Sequence, residues 1–392
     1  LSLDWKRFST PYTETLRMSE TIVACRSFVG VDLHKTTVTL VAVAPDGVEI
    51  SRLTINTKCR EKIRAWLLAL PRPSHLAVEA VGFVEWFIES FRTCVDRIDI
   101  ADATELSNRR GKRRKNDYRD ALDVAQRLAR GECPCGYIAD DELMQLRKLG
   151  RHWRQLSKVL ALNKQCMKSI LLAANLRGPK FNGASAQSWL MAHGHRLKPA
   201  QRLAFGDFVK IVQLIELQRQ PLRFAIIEAS RSERFAPMTT LLQSVPGIGE
   251  IWSCIIAAEI GPFERFPNAD ALEFWAGLTA DLKESAGRTQ SGPITKAGSR
   301  TLRWALCNAA LTLCHSDAGQ EAIRQRLIRK TGGIKGKANT AMGRRLLRIL
   351  YAIVRDGKPY RVGPSRHRNA AANKARAAKR AGKTGKNGKE AA

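Results

Sequence analysis

No apolar run in this chain approaches the ~20 residues that a bilayer-spanning helix needs, so no membrane partner is expected. Acidic residues are scarce. The 36 Asp plus Glu stand against 66 Lys plus Arg, a formal net charge of +30. Such an excess draws polyanions in from solution and gains affinity by displacing their counterions. Nucleic acid is the expected partner; a solvated basic surface or a ribosome-type scaffold is the alternative. The chain also lacks a paired cysteine framework, since its nine cysteines are an odd number. Cys133 and Cys135 form a C-x-C with no second pair at zinc-ligand spacing, and His193 and His195 form an H-x-H without partners. Both read as incidental. Free thiols and a basic surface fit a reducing cytoplasm and association with the nucleoid. The opening LSLDWKRFSTPYTETLR is mixed and carries acids, unlike a signal peptide. A plausible domain start follows Met18, so residues 1–17 read as an upstream extension.

What is present suffices for two or three domains: 392 residues, 44% of them hydrophobic. From Ser27, FVGVDLHKTTVTLVAVA alternates and is rich in β-branched residues; a turn, Ala44-Pro45-Asp46-Gly47, leads into VEISRLTI. CREKIRAWLLAL has helical spacing, with Ile63, Trp66, Leu67 and Leu70 on one face, and Pro71 and Pro73 stop it. HLAVEA reads as a buried strand, FVEWFIESFRTC as a helix, DRIDIADA as a strand, and Asp117 to Arg130 as a helix. The order βββαβαβα predicts an α/β RNase H-like fold. Beyond the Cys133–Gly136 loop, Leu146, Leu149, Trp153, Leu156, Leu160, Met167 and Ile170 form a long amphipathic stripe. Residues 199–230 give a second stripe, which Pro221 is expected to kink or split. The pair reads either as a helical linker packed on the core or as an antiparallel hairpin serving as a dimerisation arm. The expected divisions are an N-terminal extension (1–27), an α/β catalytic domain (28–135), a helical connector (136–237), a mainly α domain (238–355) and a basic, disordered tail (356–392).

Four acids stand out. Asp32 lies mid-strand in VGVDLHK between apolar neighbours. An unpaired carboxylate buried there costs several kcal/mol or takes up a proton. Glu79 ends LAVEA, a strand that this topology places beside the first. Asp117 and Asp120 sit at i and i+3, so one helical face presents both. If that helix crosses the sheet, the four converge, and two Mg²⁺ ions would neutralise them, with Mn²⁺ able to substitute. Two metals about 4 Å apart suit phosphodiester displacement. Alternatively, Asp117 caps the helix that it opens, and D-x-x-D is a solvated face. Asp123 is a reserve candidate that reads more readily as a surface residue.

In SVPGIGEIWSCIIAAEIG, Pro246-Gly247-Ile248-Gly249 joins two apolar helical stretches. Such a hairpin, in the manner of helix-hairpin-helix motifs, offers N–H groups of Gly247 and Gly249 to a phosphate; an ordinary glycine turn is the plain alternative. Ser285 follows in a basic, glycine-rich loop with Lys283, Arg288, Lys296, Arg300 and Arg303 nearby in sequence. From the residues alone, that serine contacts a phosphate. A nucleophilic role would require activation, since a free hydroxyl is weak.

Together GVDLHK, the V-E-A-x-G at Glu79, K-N-D-x-x-D-A at Asp117 and Asp120, and the stretch from S-V-P-G-I-G through A-G-L-T to I-T-K-A-G-S-R-x-L-R resemble the DEDD transposases of the IS110 insertion-sequence family. The resemblance covers roughly residues 28–355. It implies a RuvC-like domain with Asp32, Glu79, Asp117 and Asp120 as Mg²⁺ ligands. It also implies a connector for oligomer assembly, as a dimer or tetramer, and a transposase domain in which Ser285 attacks DNA. It further implies a structured bridge RNA that pairs with the DNA, so that the protein holds backbone while the RNA reads bases. Ala286 separates Ser285 from Gly287 where many relatives have glycine directly, which leaves Ser291 as the second choice. Two rival readings differ in chemistry. A RuvC-like nuclease or junction resolvase would hydrolyse DNA with water, and a non-enzymatic binder would never cut it.

Overall fold

A computed structural model describes residues 25–79, 82–102, 106, 116–285, 288–296 and 298–362. The chain divides into two compact units, one ending at Asp140 and the other beginning at Asp141.

The first unit is built on a six-stranded mixed sheet. Its strands are β1 (Ser27–Leu33), β2 (Thr37–Val43), β3 (Glu49–Asn56), β4 (Ser74–Glu79), β5 (Arg97–Ala101) and the short β6 (Cys135–Gly136), in the order β3-β2-β1-β4-β5-β6. β1, β2 and β3 form an antiparallel meander, β4 and β5 join in parallel, and β6 returns antiparallel. The expected strands are present and β4 does lie beside β1. The sixth strand, two residues long, was not foreseen in the 133–136 loop. This mixed sheet with its helices fits an RNase H-like domain.

Alternation divides the sheet cleanly. On one face Val29, Val31, Leu33, Val38, Leu40, Leu76 and Val78 pack against Ile63 and Leu67 of α1 (Arg60–Leu68) and Phe87, Ile88 and Phe91 of α2 (Val84–Phe91). The other face carries Val41, Val43 and Ala77, covered by Ala121, Val124, Ala125 and Leu128 of α3 (Asp117–Ala129). At ~1.5–3 kcal/mol for each buried large side chain, these two layers dominate the unit's stability.

Gly30 determines how closely α3 can lie. A Cβ at this position would stand 2.0 Å from the Ala121 carbonyl oxygen and 2.5 Å from the Ala125 nitrogen, so helix backbone rests directly on strand backbone. Asn116 starts α3, its side chain accepting from the backbone N–H groups of Tyr118 and Arg119 at 3.0 and 3.4 Å. The cap is therefore Asn116 and not Asp117, because the residue before the first helical turn has the extended backbone that aims its side chain at those donors. Tyr118 donates to Glu49 Oε2 at 2.6 Å and Gln126 to the Gly47 carbonyl at 3.3 Å, which ties α3 to the β2–β3 hairpin.

The second unit is mainly helical. α4 (Asp141–Ala173) and α6 (Pro199–Ser230) run antiparallel: Arg219 lies over the Trp153 ring, and farther along α4 Lys164 meets Glu216. Leu160, Met167 and Leu171 pack with Phe205, Val209, Val212 and Ile215, and Ala186 of α5 (Gly183–His193) joins them. The expected split at Pro221 does not occur, and α6 continues through it. A mid-helix proline costs ~3 kcal/mol. The buried stripe, which resumes at Leu222 and Ile226, outweighs that cost.

α7 (Ala236–Gln243), α8 (Glu250–Ile260), α9 (Ala269–Trp275), α10 (Arg300–Ser316), α11 (Ala318–Lys330) and α12 (Lys335–Asp356) follow. α8 is the central one, buried continuously from Ser253 to Ile260. Arg151 of α4 grips its Glu259 carboxylate at 2.9 and 3.3 Å, and Arg147 donates to the Ala258 and Glu259 carbonyls at 2.7 and 3.2 Å. Beyond α12, Tyr360 donates its hydroxyl to Asp317 Oδ2 at 2.7 Å. The tail expected to be disordered lies, from residue 363 onward, outside the described residues, as do residues 1–24.

Candidate metal centre

Asp32 is the sixth residue of β1, paired with Thr39 across the β1–β2 ladder. Because side chains alternate, it shares a face with Gly30, the face that α3 covers. Glu79, the last residue of β4, follows the Val31–Val78 pair and so comes up beside Asp32 on that same face. Its Oε1 atom is buried. Asp117 opens α3 and Asp120 lies one turn later, both at the helix end that rests over these strand ends. The four acids thus come to one edge of one helix–sheet interface.

The tightest group includes a residue that sequence reasoning overlooked. His34 Nε2 lies 3.5 Å from Asp32 Oδ2 and 3.5 Å from Asp117 Oδ1. One ligand atom from each of Asp32, His34 and Asp117 falls within 4.8 Å of the others, a group that could hold a metal ion. D-x-H is a weak sequence signal here, because His34 already lies past the end of β1 and the turn, not strand alternation, places its ring. His34 is half exposed and Asp117 also faces solvent, whereas the Asp32 side chain is only 13% exposed.

Electrostatics single out Asp32. Burial pushes its carboxyl up from 3.8 to about 6, with Glu79, Asp117 and Asp120 adding repulsion and His34 opposing them. Bringing negative charges around a half-desolvated carboxyl makes the site hungry for a cation. Hard divalent ions take carboxylate oxygens readily, so this donor set fits one. Asp123 points elsewhere, held by Arg127 at 2.9 and 3.0 Å on the helix surface.

The second unit holds the other candidates. Ser285, read as a loop residue, is the last residue of strand β7 (Ala280–Ser285) and pairs with Arg288, the first of β8 (Arg288–Ile294). Ser291 lies on β8. Residues 286–287 fall outside the described residues. Pro246, Gly247 and Gly249 do join two helices, α7 and α8. However, Gly247 adopts φ +96°, and a Cβ there would meet Thr312 Cβ at 2.7 Å and the Ala309 carbonyl at 2.9 Å. It is required by close packing on α10. Gly249 is exposed and forms the N-cap of α8. Lys296 is exposed with a positive φ of 58°, and Arg300 is exposed at the start of α10. Arg303 turns inward, donating to the Ala276 and Gly298 carbonyls at 3.1 and 2.6 Å, and burial lowers its pKa.

Residues 29–175 match a family model of the IS110 DEDD transposases, and residues 239–325 match the transposase IS116/IS110/IS902 family. The chain belongs to the IS110 family of DEDD transposases. Three relatives are similar to parts of the chain. A 43.6 kDa protein of insertion element IS110 from Streptomyces coelicolor is 27% identical over 124 residues, 32% of this chain and 30% of the relative. Putative transposase y4qE of Sinorhizobium fredii is 25% identical over 208 residues, 52% of this chain and 49% of the relative. Putative transposase y4pF/y4sB of the same organism is 26% identical over 129 residues, 31% and 32% of the two chains. The chain thus spans no more than about half the length of these relatives. The first matched segment contains all four acids and His34, and the second contains the α7–α8 hairpin and Ser285.

Proposed function

We propose that this protein is an insertion-sequence transposase that cleaves and rejoins DNA. The observation that carries the reading is the half-buried Asp32 carboxyl, raised to about 6 beside Asp117 and His34 and under the repulsion of Glu79 and Asp120. Few structural roles repay such crowding, and a phosphodiester-processing metal site does. Asp32, Glu79, Asp117 and Asp120 are the residues that would hold Mg²⁺, with Mn²⁺ as a substitute. A bound ion would draw charge from the phosphate oxygens and acidify the attacking group. His34 reaches both Asp32 and Asp117 and would add a nitrogen donor to the set.

Ser285 is the proposed nucleophile. Its hydroxyl oxygen would bond to phosphorus while the bond to the departing sugar oxygen breaks; the hydroxyl proton leaves to a base and the sugar oxygen gains one. The resulting ester conserves the bond energy, so strands can be exchanged without ATP. The net charge of +30 supports a nucleic-acid partner, with element ends and target DNA as substrates and a structured guide RNA as a further partner. Apolar side chains exposed along α4 and α6, among them Leu172, Leu214, Leu217 and Phe224, support a homo-oligomer assembled through these helices.

The test is strand exchange on a supercoiled substrate carrying the element ends, supplied with the RNA that copurifies. Exchange should require Mg²⁺ and disappear in Asp117→Asn and in Ser285→Ala, and wild type should leave DNA linked to the protein. Full exchange by Ser285→Ala removes the serine role. Free hydroxyl ends in place of exchanged strands would make the protein a hydrolytic nuclease or resolvase, and binding that never leads to a cut would make it a non-enzymatic binder.

A further inference from the structure

The second unit contains a cavity of about 480 Å³ that the chemistry above does not use. It opens where α4, α6, α8 and α10 meet, lined by Trp153, Arg219, Arg223, Gly249, Trp252 and Trp304 among others. Three of the chain's eight tryptophans therefore face one cleft. Trp252 and Trp304 meet edge to face, with ring centroids 4.8 Å apart. Across from them Arg219 stacks on the Trp153 ring, its guanidinium carbon 3.9 Å from the centroid.

Among the described residues, the buried Arg219 Nε meets no hydrogen-bond acceptor. Burial lowers the pKa of this guanidinium, against the opposing charge of Glu216. Arg223 is exposed at the rim. The one lining carboxylate, Glu250, is already engaged by Arg231 Nε at 2.8 Å. Its neighbour Gly249 begins α8, whose first N–H groups carry the positive end of the helix dipole. Aromatic faces beside an incompletely paired guanidinium and a helix start suit a ligand with a flat ring and an anionic group.

We propose that this cleft takes one unstacked nucleotide of a single-stranded segment, its base against Trp252 and Trp304 and its phosphate at Arg219 and Arg223. Base stacking on aromatic side chains tolerates any sequence and needs a strand that is not paired. A duplex cannot present a base edge-on to a cleft of this kind without extruding it. The proposal rests on the nucleic-acid reading only for the polymer; the cleft stands on its own geometry.

The full chain is titrated with a fluorescein-labelled oligo-dT 15-mer, the matching oligo-U RNA and a blunt duplex DNA, following anisotropy and tryptophan quenching together. Single strands should quench tryptophan and the duplex should not. Trp252→Ala should weaken single-strand binding on the order of tenfold or more, with duplex affinity within twofold of wild type. Arg223→Gln, at the exposed rim, leaves folding intact; it should weaken single-strand binding and reduce the salt dependence by about one counterion. Preference for the RNA or for the DNA strand identifies the source of the nucleotide. Equal quenching by duplex and single strand, or unchanged single-strand affinity in both variants, overturns the proposal. Strand exchange measured on the same preparations separates the two readings. Loss of selective single-strand binding with exchange intact defeats the cleft alone, and selective binding in a protein that never cuts defeats the transposase reading alone.

Discussion

Replacing Asp32 with asparagine should make the metal-free protein more stable while destroying its metal site. The Asp32 carboxyl titrates at about 6 in the folded state against 3.8 as its ordinary value. A unit of pKa is 1.36 kcal/mol, so holding this group ionised above pH 7 costs the fold about 2–3 kcal/mol. With a side chain only 13% exposed, little of that is screened by solvent. The sign follows from the raised value. The carboxyl contributes its full share below about pH 4, where it is protonated in both states, and that share is lost as the pH rises through 6. Asparagine resembles the protonated form and escapes the loss.

The assay is thermal unfolding of wild type and Asp32→Asn at pH 8 in a chelator. At roughly 4 °C per kcal/mol, the first unit of the variant should melt about 8–12 °C higher. The gap should shrink as pH falls and close near pH 4. Mg²⁺ at about 1,000 times its Kd should reverse the order, because it adds ~4.1 kcal/mol, more than the deficit, to a protein that binds it and nothing to one that does not. A variant no more stable than wild type at pH 8 without metal would refute the burial argument. A variant with an undiminished Mg²⁺ response would refute Asp32 as a ligand.

Gly30→Ala should lower the stability of the first unit by about 1–3 kcal/mol and remove the metal-induced shift in melting, since α3 must retreat from a Cβ 2.0 Å from the Ala121 oxygen; an unchanged metal response would show that α3 need not lie so close. Asn116→Ala should cost about 1 kcal/mol by chemical denaturation, with Asn116→Ser recovering most of it, because the cap accepts from two N–H groups. Gly247→Ala should destabilise the second unit by about 2 kcal/mol or more through both its φ of +96° and its collision with Thr312, leaving the metal response of the first unit intact.

Much of the first unit could be read in the sequence because alternation and helical spacing act over a few residues. The run SFVGVDL already shows Asp32 as an anomaly, and LAVEA and NDYRD carry the other acids on elements of recognisable type. What could not be read was proximity. His34 looked like a residue leaving a strand, and only the turn that brings its ring back between Asp32 and Asp117 reveals a ligand. Asn116 was overlooked as the cap because Asp117 is an equally good capping residue; backbone geometry at 116 decides between them. In the second unit, Pro221 allows a kink or a split by local cost alone, and the long-range packing of Leu222 and Ile226 decides against the split. The tryptophan cleft was invisible, since Trp153, Trp252 and Trp304 come from three distant helices and each alone looks like core.

The glycine and the aspartate two residues apart on β1 form a single device. Gly30 lets a helix backbone settle onto the strand, and that settling is what desolvates Asp32 and sets Asp117 and Asp120 against it. Close docking of α3 and ionisation of the site therefore oppose each other until a cation arrives. Binding a cation should in turn tighten α3 on the sheet, because the same charges that repel it would then be bridged. The stability lost at Asp32 in the metal-free protein and the affinity gained for the ion are one free energy measured from two sides, which is why the reversal of melting order by Mg²⁺ carries more weight than either melting temperature alone.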